Sequence, residues 1–169
     1  MLQRFAIRDI LLLLGVAALW WKAAPLTEGS GPAADLLGVL AGLALGAGAY
    51  VIHEWGHLLG ALATRSALEM PERLASVSLF SFDSKRNSRR QFLAMSFSGF
   101  AMTGVALLVV YGLLPEGQLA TRVARGAVLA LTSLTVLVEF PLVLWALVRS
   151  DLPPVETLAS HRRARRGAA

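Results

Sequence analysis

The apolar block that decides the fold covers residues 35–64 and reads DLLGVLAGLALGAGAYVIHEWGHLLGALAT. A membrane-spanning helix needs about 20 apolar residues, so this block is long enough to cross a bilayer with some tilt. Small residues recur along it at four-residue spacing, which favours close approach of neighbouring membrane helices. These residues are Gly38, Gly42, Gly46, Gly56 and Gly60. We therefore predict a spanning helix at the centre of a tightly packed bundle.

Three further apolar blocks accompany this one. The first is centred on residues 10–21, and the third and fourth cover residues 91–114 and about 121–148, with a turn at Pro115–Gly117 between them. Hydrophobic residues make up 56% of the chain and charged residues 16%, a balance more apolar than that of a typical soluble domain. The sequence therefore predicts an all-α integral membrane protein with about four transmembrane helices.

The first block has two interpretations. Its basic start and short apolar centre are typical of a cleaved signal peptide. We favour a retained helix, because residues 5–24 together reach spanning length and Trp20 and Trp21 suit the far membrane interface. Both interpretations place residues 25–32 outside the cytoplasm.

The polar stretch between the second and third blocks, residues 65–90, contains a segment with strand character. Residues 74–82 read LASVSLFSF, and Ser76–Leu79 alternate between polar and apolar side chains. Period-two alternation is typical of a half-buried strand. We predict a short strand in a cytoplasmic loop after the second helix. The alternation shifts at Phe80, so a bulge or a loop that dips into the membrane is the alternative.

The basic residues are distributed asymmetrically about the predicted helices. Of the 16 Lys and Arg residues, only Lys22, Arg122 and Arg125 fall in segments that four helices would place outside. The positive-inside rule therefore predicts that both termini are cytoplasmic, in what we expect to be a bacterial inner membrane. The basic tail, residues 149–169, is expected to be disordered or to lie on anionic lipid. Clusters of this kind also occur in nucleic-acid binders, but beside apolar blocks they indicate a lipid bilayer partner and no nucleic acid.

The residues most able to carry chemistry are His53-Glu54-Trp55-Gly56-His57. Residues four apart share one face of an α-helix, so His53 and His57 can bind one metal ion, while Glu54 can accept a proton from water. The alternative is that these polar residues merely satisfy one another within a helix bundle. Ionisable side chains inside an apolar span are costly and usually functional, which favours the metal site.

A third ligand must come from elsewhere in the chain, because catalytic zinc generally has three protein ligands and one open position. The chain has no cysteine, and its remaining histidine, His161, lies in the tail. Asp9 and Asp35 fall at the ends of apolar blocks, which leaves Glu139 by elimination. Pro141 would loosen the local helix and help to aim that carboxylate. The alternative for Glu139 is a carboxylate bonded to a neighbouring helix.

Depth in the membrane supports this choice of ligand. At 1.5 Å per residue, both histidines and Glu139 lie roughly 12–18 Å inside the cytoplasmic boundary. Ser98 and Gly99 of the third block reach the same depth, and Thr103 lies one turn further along. These residues could bind a substrate backbone, or their hydroxyl groups could return hydrogen bonds to their own helix.

In these motifs the chain resembles the site-2 protease family of intramembrane zinc metalloproteases. The core of that family has three membrane helices, which carry in turn a His-Glu-x-x-His motif, a Gly-x-x-x-Asn-type motif and an Asp-Gly motif. Residues 53–57 match the first motif in full. Gly99 and Thr103 match the second in spacing, with Thr103 where Asn is usual, and Glu139-Phe140 stands where Asp-Gly is expected.

The resemblance covers residues 35–148, which implies a three-helix metalloprotease core. Residues 1–34 would add an N-terminal transmembrane helix with an external loop, and residues 149–169 would form the cytoplasmic tail. The resemblance implies Zn²⁺ held by His53, His57 and Glu139. It also implies that Glu54 is the general base in hydrolysis of a peptide bond.

The resemblance further implies a membrane-protein substrate, which would unwind before it is cut. Ser98, Gly99 and Thr103 would contact that substrate, and Val77 and Leu79 would lie on a strand that pairs with it. A regulatory membrane partner is also expected. Two alternatives stay open: an inactive family member that binds or escorts membrane proteins, and a membrane zinc hydrolase that acts on a lipid.

Overall fold

The structure, a computed structural model, describes residues 1–26, 31–149 and 151–153. Most of the described residues are helical. The predictions for the basic tail, including His161, lie outside the described residues except at Arg149 and residues 151–153. The predicted external loop at residues 25–32 is likewise described only in part.

Five α-helices and two short strands make up the described chain. The first two helices are α1, Leu2–Leu26, and α2, Pro32–Ala63, and the loop after α2 holds strands β1, Leu68–Glu69, and β2, Ser81–Phe82. Helix α3 spans Arg89–Gly112, and α4 spans Leu119–Leu134. A π-helical segment, Thr135–Glu139, then joins α4 directly to α5, Phe140–Val148.

Three helical segments among the described residues are long and apolar enough to cross a membrane. They are α2, α3 and the continuous segment from Leu119 to Val148. The predicted helical architecture is confirmed, and the second, third and fourth apolar blocks each form one such segment. Helix α1 carries Arg8, Asp9 and Lys22 and is not among the three, so its crossing of the membrane stays a prediction.

Helix α2 is the central helix, and its glycines bring α3 and α4 close to it. A Cβ atom added at Gly42 or Gly46 would lie 2.6 or 2.5 Å from atoms of α4. A Cβ added at Gly56 or Gly60 would lie 2.6 or 2.4 Å from atoms of α3. Because real Cβ contacts are longer than this, the predicted close helix packing is confirmed at these four positions.

The π-helical segment immediately precedes Pro141, where the sequence predicts a loosened helix. Proline has no N–H group to donate to the carbonyl four residues earlier. The Phe140 N–H instead donates to the Thr135 carbonyl, five residues earlier. One extra residue in a turn shifts the following side chains by about 100° around the helix axis, and such segments recur at functional sites.

The short strand predicted within residues 74–82 is confirmed only at the end of that segment, beyond the alternating residues Ser76–Leu79. Residues 77–79 form a bend, and the strand that pairs with Leu68–Glu69 in antiparallel fashion is Ser81–Phe82. The Arg8 side chain donates to the Leu74 and Ser76 carbonyls, at 2.9 Å for Ser76. These carbonyls are therefore unavailable for a strand ladder, although the local alternation of side chains fits one.

The start of α3 is tied directly to the end of α2. Ser88 and Gln91 form a reciprocal capping box at the first turn of α3. The Gln91 side-chain amide also donates to the Thr64 and Arg65 carbonyls, at 3.1 and 3.2 Å. This junction sets the register in which α3 runs along the histidine-bearing face of α2.

Candidate metal centre

Helix α2 presents two imidazole rings that face each other at one point in the bundle. His53 and His57 lie one turn apart, and their rings meet edge to face with centroids 4.4 Å apart. Their Nε2 atoms are separated by 3.0 Å. His53 is almost fully buried, whereas the His57 side chain is 12% exposed. The helical spacing therefore directs both Nε2 atoms towards a single point.

Glu139 completes the group from the π-helical segment. Its Oε1 atom lies 3.1 Å from His53 Nε2, and its Oε2 atom lies 3.2 Å from His57 Nε2. The three residues each offer a ligand atom, and these atoms all lie within 4.8 Å of one another. His53, His57 and Glu139 thus form a group that could hold a metal ion.

The spacing of these ligand atoms suits a small tetrahedral ion. With bonds of roughly 2.0–2.1 Å, the ligand atoms around tetrahedral zinc are about 3.3 Å apart. The two Nε2 atoms are 3.0 Å apart, and each lies 3.1 or 3.2 Å from a different oxygen of the Glu139 carboxylate, so all of these separations are close to that value. Three protein ligands leave one tetrahedral position for water or substrate.

The outer nitrogen of each imidazole is held by α3. His57 Nδ1 lies 3.0 Å from the Met95 carbonyl, which can only accept, so this nitrogen carries the proton. His53 Nδ1 lies 2.8 Å from the Thr103 hydroxyl, which in turn donates to the Gly99 carbonyl at 3.3 Å. With a proton on each Nδ1, a neutral imidazole directs a bare Nε2 lone pair inwards, as a metal ligand requires.

The inward-facing atoms of the group lie close enough either to share protons or to hold a cation. Glu139 Oε2 is buried and has no hydrogen-bond partner among the described residues, although His57 Nε2 is near. Two nitrogen lone pairs and a carboxylate at such distances repel one another unless a cation lies between them. The donor set therefore fits a divalent metal, whose binding would displace any protons shared by the group.

Thr103 contacts the metal-binding group directly, whereas Ser98 packs against another part of α2. Thr103 is 4% exposed and bonds to His53, so its hydroxyl orients a candidate ligand. The Ser98 side chain packs against α2, with its Oγ 2.5 Å from where a Cβ on Gly60 would lie. Their predicted contact with substrate stays a prediction.

Gly99 lets α3 approach the His57 ring. A Cβ atom at this position would lie 2.2 Å from His57 Cε1 and 2.5 Å from both ring nitrogens. No residue larger than glycine fits unless the imidazole moves.

Replacing Gly99 with Ala should therefore displace His57 and weaken metal binding. We expect a loss of roughly 10–100-fold in zinc affinity, the range seen when the groups that support a ligand are removed. The measurement is a competition titration against a zinc-binding dye. Gly104→Ala on the same helix is the matched control, because nothing lies within 4 Å of its Cβ position. Equal affinities for the two variants would contradict the ligand role of His57.

Glu54 follows His53 but belongs to a different set of contacts. Its Oε2 atom accepts from the Leu79 backbone N–H at 3.4 Å, and the Tyr50 hydroxyl interacts with its carboxylate from one turn earlier. Leu79 is buried, whereas Val77 is 73% exposed. The structure thus brings Leu79 to Glu54 and leaves the Val77 side chain projecting away from the protein.

Two residues near the motif were not anticipated from the sequence as part of this region. Asp9 of α1 accepts from the Trp55 indole at 2.8 Å, and Arg8 bonds both to Asp9 and to the loop after α2. A carboxylate within an apolar helix is a sequence signal that could have identified Asp9.

Comparisons with family models, with curated proteins and with solved structures returned no match for this chain. The geometry of the residues around His53 and His57 therefore carries the functional argument.

Proposed function

We propose that this chain is an integral membrane zinc metalloprotease that cuts a membrane-embedded or membrane-proximal segment of a substrate protein. The observation that carries the proposal is the convergence of two Nε2 atoms and one carboxylate at about 3 Å spacing, in a helix where Glu54 directly follows the first histidine. This is the ligand number of a catalytic zinc site.

The proposed mechanism assigns one role to each of four residues. His53, His57 and Glu139 would hold the ion, and zinc at this site would supply Lewis acidity to the scissile carbonyl and the attacking water. Glu54 would take the proton from that water as its oxygen bonds to the carbonyl carbon. Glu54 would then deliver the proton to the amide nitrogen as the C–N bond breaks.

The proposed substrate class follows from the place of the site within the bundle. The group lies on helices that are long and apolar enough to cross a membrane. A peptide bond reaches such a site only after its helix unwinds, because helical carbonyls are bonded and shielded. Segments with low helix propensity should therefore be cut in preference to uninterrupted helices.

The proposal is tested by metal content and peptide hydrolysis together. Purified full-length protein should contain one zinc ion per chain by elemental analysis. In liposomes it should cut a synthetic Leu/Ala peptide of about 20 residues with a central Gly-Gly pair, and spare the matched peptide without glycine. Protein that holds no metal and takes up none on adding zinc would overturn the proposal.

The same experiment separates the two alternatives. Hydrolysis of the vesicle lipid with both peptides intact would indicate a lipid hydrolase. Zinc binding without hydrolysis of peptide or lipid would indicate a protein that binds membrane partners without cutting them.

The proposed topology places both termini in the cytoplasm of a bacterial inner membrane. The basic residues predict this arrangement, with 13 of 16 on the inner side. A reporter enzyme that functions only in the cytoplasm should be active when it is fused after Arg149. A reporter that functions only outside the cytoplasm should be inactive at the same position. A fusion at the same position that is active only in the external compartment would reverse the topology.

A further inference from the structure

Helix α1 carries a buried carboxylate that the proposed chemistry does not use. Asp9 is 2% exposed, and its two oxygens have different partners. Oδ1 accepts from Arg8 Nε at 2.6 Å, and Oδ2 accepts from Trp55 Nε1 at 2.8 Å. Trp55 is the residue directly after Glu54, so Asp9 binds α1 to the histidine-bearing turn of α2.

Arg8 extends this connection to the loop after α2. One of its terminal nitrogens donates to the Leu74 and Ser76 carbonyls, while Nε stays on Asp9. The guanidinium also lies over the Phe5 ring, 4.9 Å from its centroid. The fixed fork of arginine is suited to hold several acceptors at once, whereas lysine offers one point charge.

The same loop reaches Glu54 a few residues further on. The Leu79 N–H donates to Glu54 Oε2 at 3.4 Å, and the Leu79 side chain is buried against Phe5 and Leu58. Helix α1 therefore contacts this loop through Arg8 and through Phe5.

We propose that Arg8 and Asp9 are positioning residues for Glu54. They hold Trp55 and the loop of residues 74–79 against the turn of α2 that carries His53 and Glu54. The role of Glu54 as a base rests on the proposed function, but the hold on the loop does not. In the wild type the loop stays on Glu54 and orients its carboxylate. Without either member of the pair the loop leaves, and Glu54 loses its orientation.

The first readout is protease access to the loop in purified full-length protein in detergent. Arg73 is exposed and directly precedes the loop, so trypsin cleavage after Arg73 reports loop opening. Arg8→Gln and Asp9→Asn should each raise the rate of this cleavage roughly tenfold, as expected for loss of a charge-assisted hydrogen bond. Arg4→Gln, an exposed arginine on the same helix, is the control for loss of one positive charge.

The second readout separates positioning from general destabilisation. Zinc content should stay at the wild-type level in both variants, because neither residue belongs to the metal-binding group. With the Gly-Gly peptide, kcat should fall roughly tenfold with KM little changed, as expected when a base is misplaced. Arg8→Lys should keep the positive charge without keeping the wild-type kcat, because lysine lacks the planar guanidinium group that donates to several acceptors at once.

The outcomes of the two proposals are distinct. Wild-type rates of cleavage after Arg73 in Arg8→Gln and Asp9→Asn would overturn the inference, whatever the enzyme activity. A loop that opens while kcat and KM stay at wild-type values would also overturn it, because the loop would then not position Glu54. Wild-type protein without zinc would overturn the proposed function and leave the first readout valid.

Discussion

Replacing Glu54 with Gln should abolish peptide hydrolysis and leave the zinc content at one ion per chain. Glutamine has nearly the same shape and can still accept the Leu79 N–H, so the local structure is retained. Its amide cannot take a proton from water, and loss of a general base typically costs about 10²–10⁴ in rate. Glu54 is not in the metal-binding group, so the ion should stay.

The matched control is Glu72→Gln, an exposed carboxylate in the loop after α2 that should keep both zinc and activity. Hydrolysis rates and zinc content are measured on the same preparation of each protein. If Glu54→Gln cut the Gly-Gly peptide at the wild-type rate, the base would be another group. If the variant lost its zinc, Glu54 would be a ligand, and its proposed role would be wrong.

The metal-binding group could be predicted from the sequence because its three members are polar and ionisable, whereas the residues around them are apolar. His53, His57 and Glu139 are ionisable side chains inside apolar blocks, and few such residues exist in the chain to choose from. Helical spacing aligned the histidines, and elimination selected the carboxylate. The structure brings the three together, and their function as zinc ligands stays a proposal.

The partners of these residues could not be predicted in the same way. The carbonyls of Met95 and Gly99 hold the imidazoles, but every residue has a carbonyl, so sequence carries no mark of them. Thr103 lies in the motif expected to handle substrate, and the structure instead places its hydroxyl on His53. Pro141 predicted a loosened helix, while the π-helical form depends on how the whole segment packs.

The position of the strand within residues 74–82 shows where a local sequence pattern fails as a guide. Residues 76–79 alternate between polar and apolar side chains as a strand does. However, Arg8, more than sixty residues earlier in the chain, donates hydrogen bonds to the Leu74 and Ser76 carbonyls. A contact this distant in sequence cannot be read from a window of neighbouring residues. Asp9 was likewise excluded as a ligand, and its bond to Trp55 appears only once α1 and α2 are packed together.

The identity of the third ligand is the strictest test of the site. Glu139→Ala should lower zinc affinity by more than the roughly 10–100-fold typical of lost supporting groups, because a direct ligand is removed. The two histidines alone would leave the ion with half of its tetrahedral shell. A competition titration with a zinc-binding dye measures the loss, and elemental analysis of the purified variant shows whether any ion is retained.

Two further substitutions separate ligation from simple packing. Glu139→Asp keeps the carboxylate on a shorter arm and should keep part of the affinity, whereas Glu139→Gln keeps the size but removes the charge. If Glu139 is a ligand, Asp should bind zinc more tightly than Gln. If the residue only fills space, Gln should equal the wild type.

Wild-type zinc affinity in Glu139→Ala would contradict this assignment. Glu139 Oε2 would then be a buried oxygen that has no hydrogen-bond partner among the described residues, in a position where such atoms are costly. Water would have to occupy two positions on the ion, and the arrangement of His53 and His57 would no longer be that of a three-ligand catalytic site. The case for hydrolysis would weaken with it, because it depends on an ion with three protein ligands and one open position for water.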